Sequence, residues 1–278
     1  MPESIAVVIP SYNRAQSLER CIASVLVQDR QADEIIVVDD GSTDGTAELL
    51  EAYPQVIYRR QNNCGVSAAR NAGIRASSCD WIAFLDSDDE WLPEKLEKQL
   101  AAVRKQPGYR LVHSDEIWIR RGVRVNPMRK HAKAGGDIFF NCLPLCVISP
   151  SAVLVQRSLL GETGCFDENL PACEDYDLWL RICSHYPVLY LDEPLLIKYG
   201  GHPDQLSRKH WGMDRFRVQA LDKLLQAGGL TAMQEEAVRN TLRDKCKILL
   251  QGALRHKNEG LVFWVQKLLK HHDLVTES

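Results

Sequence analysis

The chain has 278 residues, enough for one large α/β domain and a smaller appendage. Hydrophobic residues make up 45% and charged residues 26%, the composition of a globular protein rather than of a disordered or membrane-embedded one. A formal net charge of −3 lacks the basic excess of a general nucleic-acid binder, so no nucleic-acid partner is expected.

The N-terminal MPESIAVVIP has neither the basic start nor the long apolar stretch of a signal peptide, and no apolar run approaches the ~18 residues of a transmembrane helix. Nine cysteines are present and never form CxxC. The closest pair, Cys142 and Cys146, has no partner pair at zinc-site spacing. These features predict a cytoplasmic protein with reduced, mostly buried thiols.

Ile5–Pro10 is a short continuous apolar run, the pattern of a strand buried on both faces. Helical spacing follows through Leu18, Ile22, Val25 and Leu26. Glu34–Asp39 is a second buried strand ending in the turn-rich Asp39–Thr46, and a short helix fits Ala47–Ala52. Val56–Arg60 then reads as strand, Val66–Ala76 as helix and Trp81–Leu85 as strand, with Pro93 opening a further helix. This alternation implies right-handed βαβ crossovers and a parallel sheet.

From Leu111 the pattern changes. Leu111–Val125 reads as strand broken by basic residues, Met128–Gly136 as a polar loop, and Ser151–Val155 and Val188–Leu191 as strands flanking a helix around Tyr176–Ser184. Amphipathic stretches at Phe216–Leu225, Glu235–Leu254 and Leu261–Leu269 make the tail helical. The expected organisation is a domain over residues 1–207, split near residue 110, followed by a helical extension over 208–278.

Ligands of an open parallel sheet bind beyond the carboxyl ends of its strands. Those ends carry Ser11–Arg14, Asp39–Ser42 and Asp86–Asp89, three polar clusters directed at one crevice. Strand-end acids often serve only as helix caps, but caps do not account for three carboxylates in four residues. In extended backbone Asp86 and Asp88 point the same way, so both can face one hard divalent cation, Mg²⁺ or Mn²⁺, shared with substrate phosphates. Neither GxGxxG nor GxxxxGK[ST] is present, which weakens oxidoreductase and P-loop readings. Glu174, Asp175 and Asp177 open an amphipathic helix, where acids also favour the helix dipole. His202 follows two glycines and can ligate a metal or simply be solvated.

Five ordered motifs make the chain resemble family 2 glycosyltransferases, which bind nucleotide sugars on a GT-A fold. They are VVIPSYNR at Val7–Arg14, VVDDGSTDGT at Val37–Thr46, NCGVSAARNAGI at Asn63–Ile74, FLDSDDEW at Phe84–Trp91, and the FDE…EDYDLWLR pattern at Phe166–Arg181. The resemblance covers residues 4–207 and implies a Rossmann-like, mostly parallel sheet flanked by helices. It implies donor contacts at Pro10, Tyr12, Arg14, Asp39, Asp40, Arg70 and Asp86, and metal ligation by Asp86 and Asp88, with Asp89 as the alternative. It further implies Asp175 as catalytic base, and His202 (a metal-ligand candidate) and Ser207 as residues that close over the diphosphate.

The expected reaction is a single inverting displacement. A saccharide or lipid-linked saccharide hydroxyl attacks the anomeric carbon of a nucleotide-diphosphate sugar, uridine diphosphate being the first choice of leaving group. A nucleotidyltransferase of related architecture and a catalytically silent sugar-nucleotide scaffold are the rivals. The basic amphipathic tail fits either peripheral contact with an anionic membrane or a cap packed on the catalytic domain or a partner.

Overall fold

The structure, a computed structural model, describes residues 3–126, 132–201 and 212–274. His202 and Ser207 lie outside the described residues, as does much of the polar loop expected from Met128.

The first strands are β1 (Ile5–Ser11), β2 (Glu34–Asp39), β3 (Ile57–Arg60) and β4 (Trp81–Phe84), all paired in parallel in the order β3-β2-β1-β4. Between them run α1 (Ala15–Leu26), α2 (Thr46–Glu51) and α3 (Val66–Ala76). The apolar strands are continuous because each feeds two cores. Ala6, Val8, Ile36, Val38, Ile82 and Phe84 enter one, while Ile5, Val7, Ile9, Ile35, Val37 and Ala83 enter the other. β3 is the exception, exposed along its length at the sheet edge.

After the two-residue β5 (Glu90–Trp91), α4 (Lys95–Lys105) begins two residues beyond Pro93, which sits in the turn before the helix rather than in its first turn. The stretch expected as one interrupted strand is a hairpin of β6 (Leu111–Arg120) and β7 (Val123–Val125), turning at Arg121 and Gly122, both with positive φ. Then come α5 (Phe139–Cys142), β8 (Val153–Gln156), α6 (Arg157–Thr163), α7 (Glu174–Cys183) and β9 (Leu189–Gly200). β8 runs antiparallel between β4 and β6, β9 pairs parallel with β6, and β5 closes the edge antiparallel to β9. The second half of the sheet is therefore mixed.

The tail forms α8 (Asp214–Ala227), α9 (Ala232–Arg255) and α10 (Glu259–His271). Thr231 and Gln234 start α9 with a reciprocal capping box. Phe216, Leu221, Val238, Leu242, Leu249 and Val265 join the same core as α3 and α7. α7 itself is buried on nearly every side rather than along one stripe: Tyr176, Leu178, Trp179, Leu180 and Ile182 are all at most 1% exposed. α3 approaches β1 so closely that a Cβ at Gly73 would stand 2.3 Å from Val8 Cγ1.

Candidate active site

The loops at the carboxyl ends of β1 and β2 are stitched to each other before they form a site. Asn13, at φ 51° in the left-handed region that Asn tolerates, accepts from the Thr43 N–H at 2.8 Å through Oδ1, while its own N–H donates to Ser42 Oγ at 2.9 Å. Asp44 accepts from the N–H groups of Ala15 (3.0 Å) and Thr46 (3.1 Å), so it serves the starts of both α1 and α2. The loops after β1 and β2 are thus held as one rim.

A crevice of about 760 Å³ opens beside this rim. It is lined by Pro10, Tyr12, Arg14 and Asp40 from the β1 and β2 ends, by Asp86, Ser87, Asp88 and Asp89 from the β4 end, and by Glu174 and Asp175 from the start of α7. Asp40 accepts from Gln61 Nε2 at 2.7 Å and from the N–H groups of Cys64 (2.9 Å) and Gly65 (2.8 Å), fixing the loop ahead of α3. Asp39 stands apart from this lining. It is fully buried, accepting from the Ser42 N–H at 2.7 Å and the Tyr58 hydroxyl at 2.9 Å.

Arg70, on α3, spans the crevice floor. It donates to Asp86 Oδ1 and to Glu174 Oε1, each at 2.6 Å, and so ties the β4 acids to the start of α7. Burial opposes its charge, yet the two carboxylates raise its pKa further above the ordinary arginine value. Asp86 is held below the usual carboxylate range: burial would raise it, and the cations Arg70 and Lys198 outweigh that. Asp88 is raised by burial and by the Asp86 charge, the signature of neighbouring acids short of positive charge. Asp89 has its oxygens committed elsewhere, to the Ser151 hydroxyl at 2.7 Å and the Tyr199 N–H at 3.3 Å, and anchors the turn to β9.

Asp175 faces the crevice from α7. Its Oδ1 accepts from the Tyr176 N–H at 2.7 Å and its Oδ2 from the Cys146 thiol at 3.3 Å, a thiol that burial and this carboxylate keep protonated. The preceding Cys173 adopts φ 61°, an unfavourable left-handed conformation for a residue other than glycine or asparagine, immediately before the two acids. Glu174 belongs to Arg70. Asp177 pairs with Arg181 at 2.8 Å and with Lys223 at 2.9 Å, away from the crevice.

The crevice therefore brings together Pro10, Tyr12, Arg14, Asp40, Arg70, Asp86, Asp88 and Asp175. Lys198 and Glu116 belong to none of the motifs that the sequence offers. A lysine inside the apolar Leu195–Tyr199 run and a glutamate inside Leu111–Trp118 were the available signals, since charge within a buried strand needs a reason. Among the described residues no three His, Cys, Asp or Glu side chains form a ready-made metal site.

A family model described as Glycosyl transferase family 2 matches residues 6–153. Five Rickettsia proteins described as uncharacterized glycosyltransferases are 31–32% identical to the chain over 214–220 residues. The chain spans between 31% and 65% of their lengths, and the matched segments cover 73–74% of the chain. A Bacillus subtilis protein described as putative teichuronic acid biosynthesis glycosyltransferase TuaG is 29% identical over 219 residues, covering 74% of the chain and 82% of TuaG. Among solved structures, Staphylococcus aureus TarS residues 1–349 in complex with UDP matches with TM-score 0.67 and 18% identity, over 90% of this chain and 74% of that one. The Pyrobaculum calidifontis mannosyltransferase PcManGT, in complex with GDP-Man and Mn²⁺, matches with TM-score 0.62 and 17% identity, over 99% and 76%. The fold is of the GT-A type.

Proposed function

The chain belongs to glycosyl transferase family 2, and from that premise we propose that it transfers a sugar from a nucleotide-diphosphate donor to an acceptor hydroxyl with inversion. One observation carries the reading: the strand-end acids Asp40, Asp86 and Asp88 and the helix-start acid Asp175 line a single crevice. The β1 and β2 ends hold the nucleoside, with Tyr12 and Arg14 above it and Asp40 at the base edge. UDP is our first choice of nucleotide.

The acid pair at Asp86 and Asp88 fits a hard divalent cation, Mg²⁺ or Mn²⁺. All donors are oxygen, Arg70 takes Oδ1 of Asp86, and Asp88 is destabilised as an anion by its neighbour, so positive charge there is favoured. Bound with the substrate, such a cation supplies charge neutralisation to the diphosphate. With no complete protein cage among the described residues, the phosphates would have to finish its coordination shell. Arg70 keeps Asp86 ionised and oriented, and Glu174 keeps Arg70 in place.

Asp175 takes the proton from the acceptor hydroxyl as that oxygen attacks the anomeric carbon. Its carboxylate is oriented from both oxygens, and α7 is anchored in the core, so its direction is fixed. The acceptor in this reading is a saccharide or lipid-linked saccharide of a cell-surface polysaccharide or glycolipid, as the description of TuaG suggests. A cytoplasmic enzyme meeting a lipid-linked acceptor would touch the inner membrane face through α9 and α10, where Ile248, Leu254 and Phe263 stay exposed near Lys247, Arg255 and Lys267.

Transfer rate and donor affinity of Asp175→Asn, with Glu174→Gln and Asp177→Asn beside it, test the assignment. Asp175→Asn keeps shape and removes basicity, so turnover falls by ~10²–10⁴ with donor affinity little changed. Near-normal turnover in that variant, with collapse in a neighbour, moves the base along the helix.

A further inference from the structure

Lys198 is a cation that the reaction outlined above leaves without a task. It stands on β9 opposite Trp118 of β6 and lines the crevice. Its ammonium donates to Ser149 Oγ at 3.2 Å and lies 5.6 Å from the Trp118 ring centroid. Among the described residues no carboxylate oxygen forms an ion pair with it within 4.0 Å. An ammonium has three donors, and among the described residues this one spends a single donor, on Ser149.

Four of the acids whose charge reaches Lys198 already have partners of their own, while Asp88, whose anion its charge also favours, is assigned above to the cation. Glu116 is paired with Lys133 at 2.8 Å and accepts from Ser149 Oγ at 3.0 Å. Asp86 holds Arg70, Asp89 holds Ser151, and Asp175 holds the Cys146 thiol. Burial opposes the lysine charge, yet the fields of Glu116, Asp89, Asp86 and Asp175 outweigh it and keep the ammonium firmly protonated. A charged group with unspent donors, facing a polar crevice, is built to meet an anion from outside the protein.

Its position says which anion. Lys198 lines the same crevice as Asp86, Asp88, Asp89 and Asp175, and the charges of Asp86, Asp89 and Asp175 all act on it. In an in-line displacement the diphosphate departs from the face of the anomeric carbon opposite the base, so a cation sharing the crevice with the base and the cation-holding acids is within reach of the departing phosphate. We propose that Lys198 is a further catalytic residue, its ammonium donating hydrogen bonds to the β-phosphate of the departing nucleoside diphosphate. The acceptor oxygen bonds to the anomeric carbon and its proton passes to Asp175. The carbon–oxygen bond to the β-phosphate breaks with its electron pair moving onto the phosphate oxygen. Lys198 keeps its proton throughout and supplies fixed positive charge where negative charge develops. This role rests on the glycosyl-transfer reading of the crevice.

Calorimetry of the full chain with UDP and UMP in Mn²⁺, and with GDP and GMP alongside, separates a β-phosphate contact from general damage. For whichever base the unaltered protein binds, Lys198→Met weakens the diphosphate about tenfold or more and leaves the monophosphate within about twofold. Turnover falls ~10²–10³. Lys198→Gln, which keeps length and a donor without charge, carries the same test if the Met variant does not fold. Unchanged diphosphate affinity overturns the proposal, and so does an equal loss for diphosphate and monophosphate. Failure of the unaltered protein to release nucleoside diphosphate from any sugar donor is a separate result, and it counts against the reaction itself.

Discussion

Single residues in this crevice are tuned by what surrounds them. Arg70 is the clearest case: one guanidinium serves Asp86 and Glu174, so the orientation of a β4 acid depends on a helix that begins 104 positions beyond Arg70. His113 shows the same dependence in the second half of the sheet. It is fully buried, its Nε2 lies 2.9 Å from the Ala134 carbonyl, and its Nδ1 has no hydrogen-bond partner among the described residues. Burial, with the Lys133 charge, pushes its pKa down to about 3. Between that value and the ordinary histidine range the unfolded chain binds a proton that the folded chain refuses, so stability falls as pH drops through this window. His113→Phe keeps a ring against Tyr190 and removes the titration. From urea midpoints at pH 7 and pH 5, the unaltered protein should lose about 2 kcal/mol more than the variant. Equal losses would show that His113 is not held neutral. The strand-end acids were legible in the sequence because their spacing alone brings them together. The tasks of Glu174, Asp89 and Lys198 were not, because each depends on a partner distant in sequence.

At the scale of elements, α3 does most to set the crevice, since it carries Arg70 and packs directly on β1. Gly73 permits that approach. Gly73→Ala would gain up to ~1 kcal/mol of helix propensity. The new methyl, however, meets the buried Val8 side chain at 2.3 Å, and overpacking of this kind costs about 1–3 kcal/mol. The clash wins, so urea unfolding should show a net loss, and turnover should fall with it as Arg70 is displaced. A variant as stable and active as the parent would mean that α3 does not fix the floor. Apolar periodicity located α3 and β1 within a residue or so because local pattern suffices for elements of this kind. β5 is too short to carry a pattern, and β8 reads as an ordinary strand without revealing that it runs antiparallel between β4 and β6. Sheet order depends on long-range pairing, which periodicity does not encode.

Across the whole molecule, two cores lie on the two faces of one sheet, and the C-terminal helices complete one of them. Most of the apolar surface that gave the tail its amphipathic pattern is consumed there, leaving exposed large residues such as Ile248, Leu254 and Phe263. Among the described residues no helix is long and apolar enough to cross a membrane. Peripheral contact rests on those exposed side chains and their basic neighbours. The protein should float with anionic vesicles at low salt and be released by replacing Phe263 and Ile248 with Ser; protein that stays at the bottom of the gradient excludes the contact. The most direct test of the catalytic account is product identification: purified full chain, Mn²⁺ and a panel of UDP-, GDP- and dTDP-sugars with candidate saccharide acceptors. The account predicts free nucleoside diphosphate from one class of donor, formed in step with sugar transfer and abolished by chelation of the cation. Release of pyrophosphate, or no turnover of any donor, would contradict it.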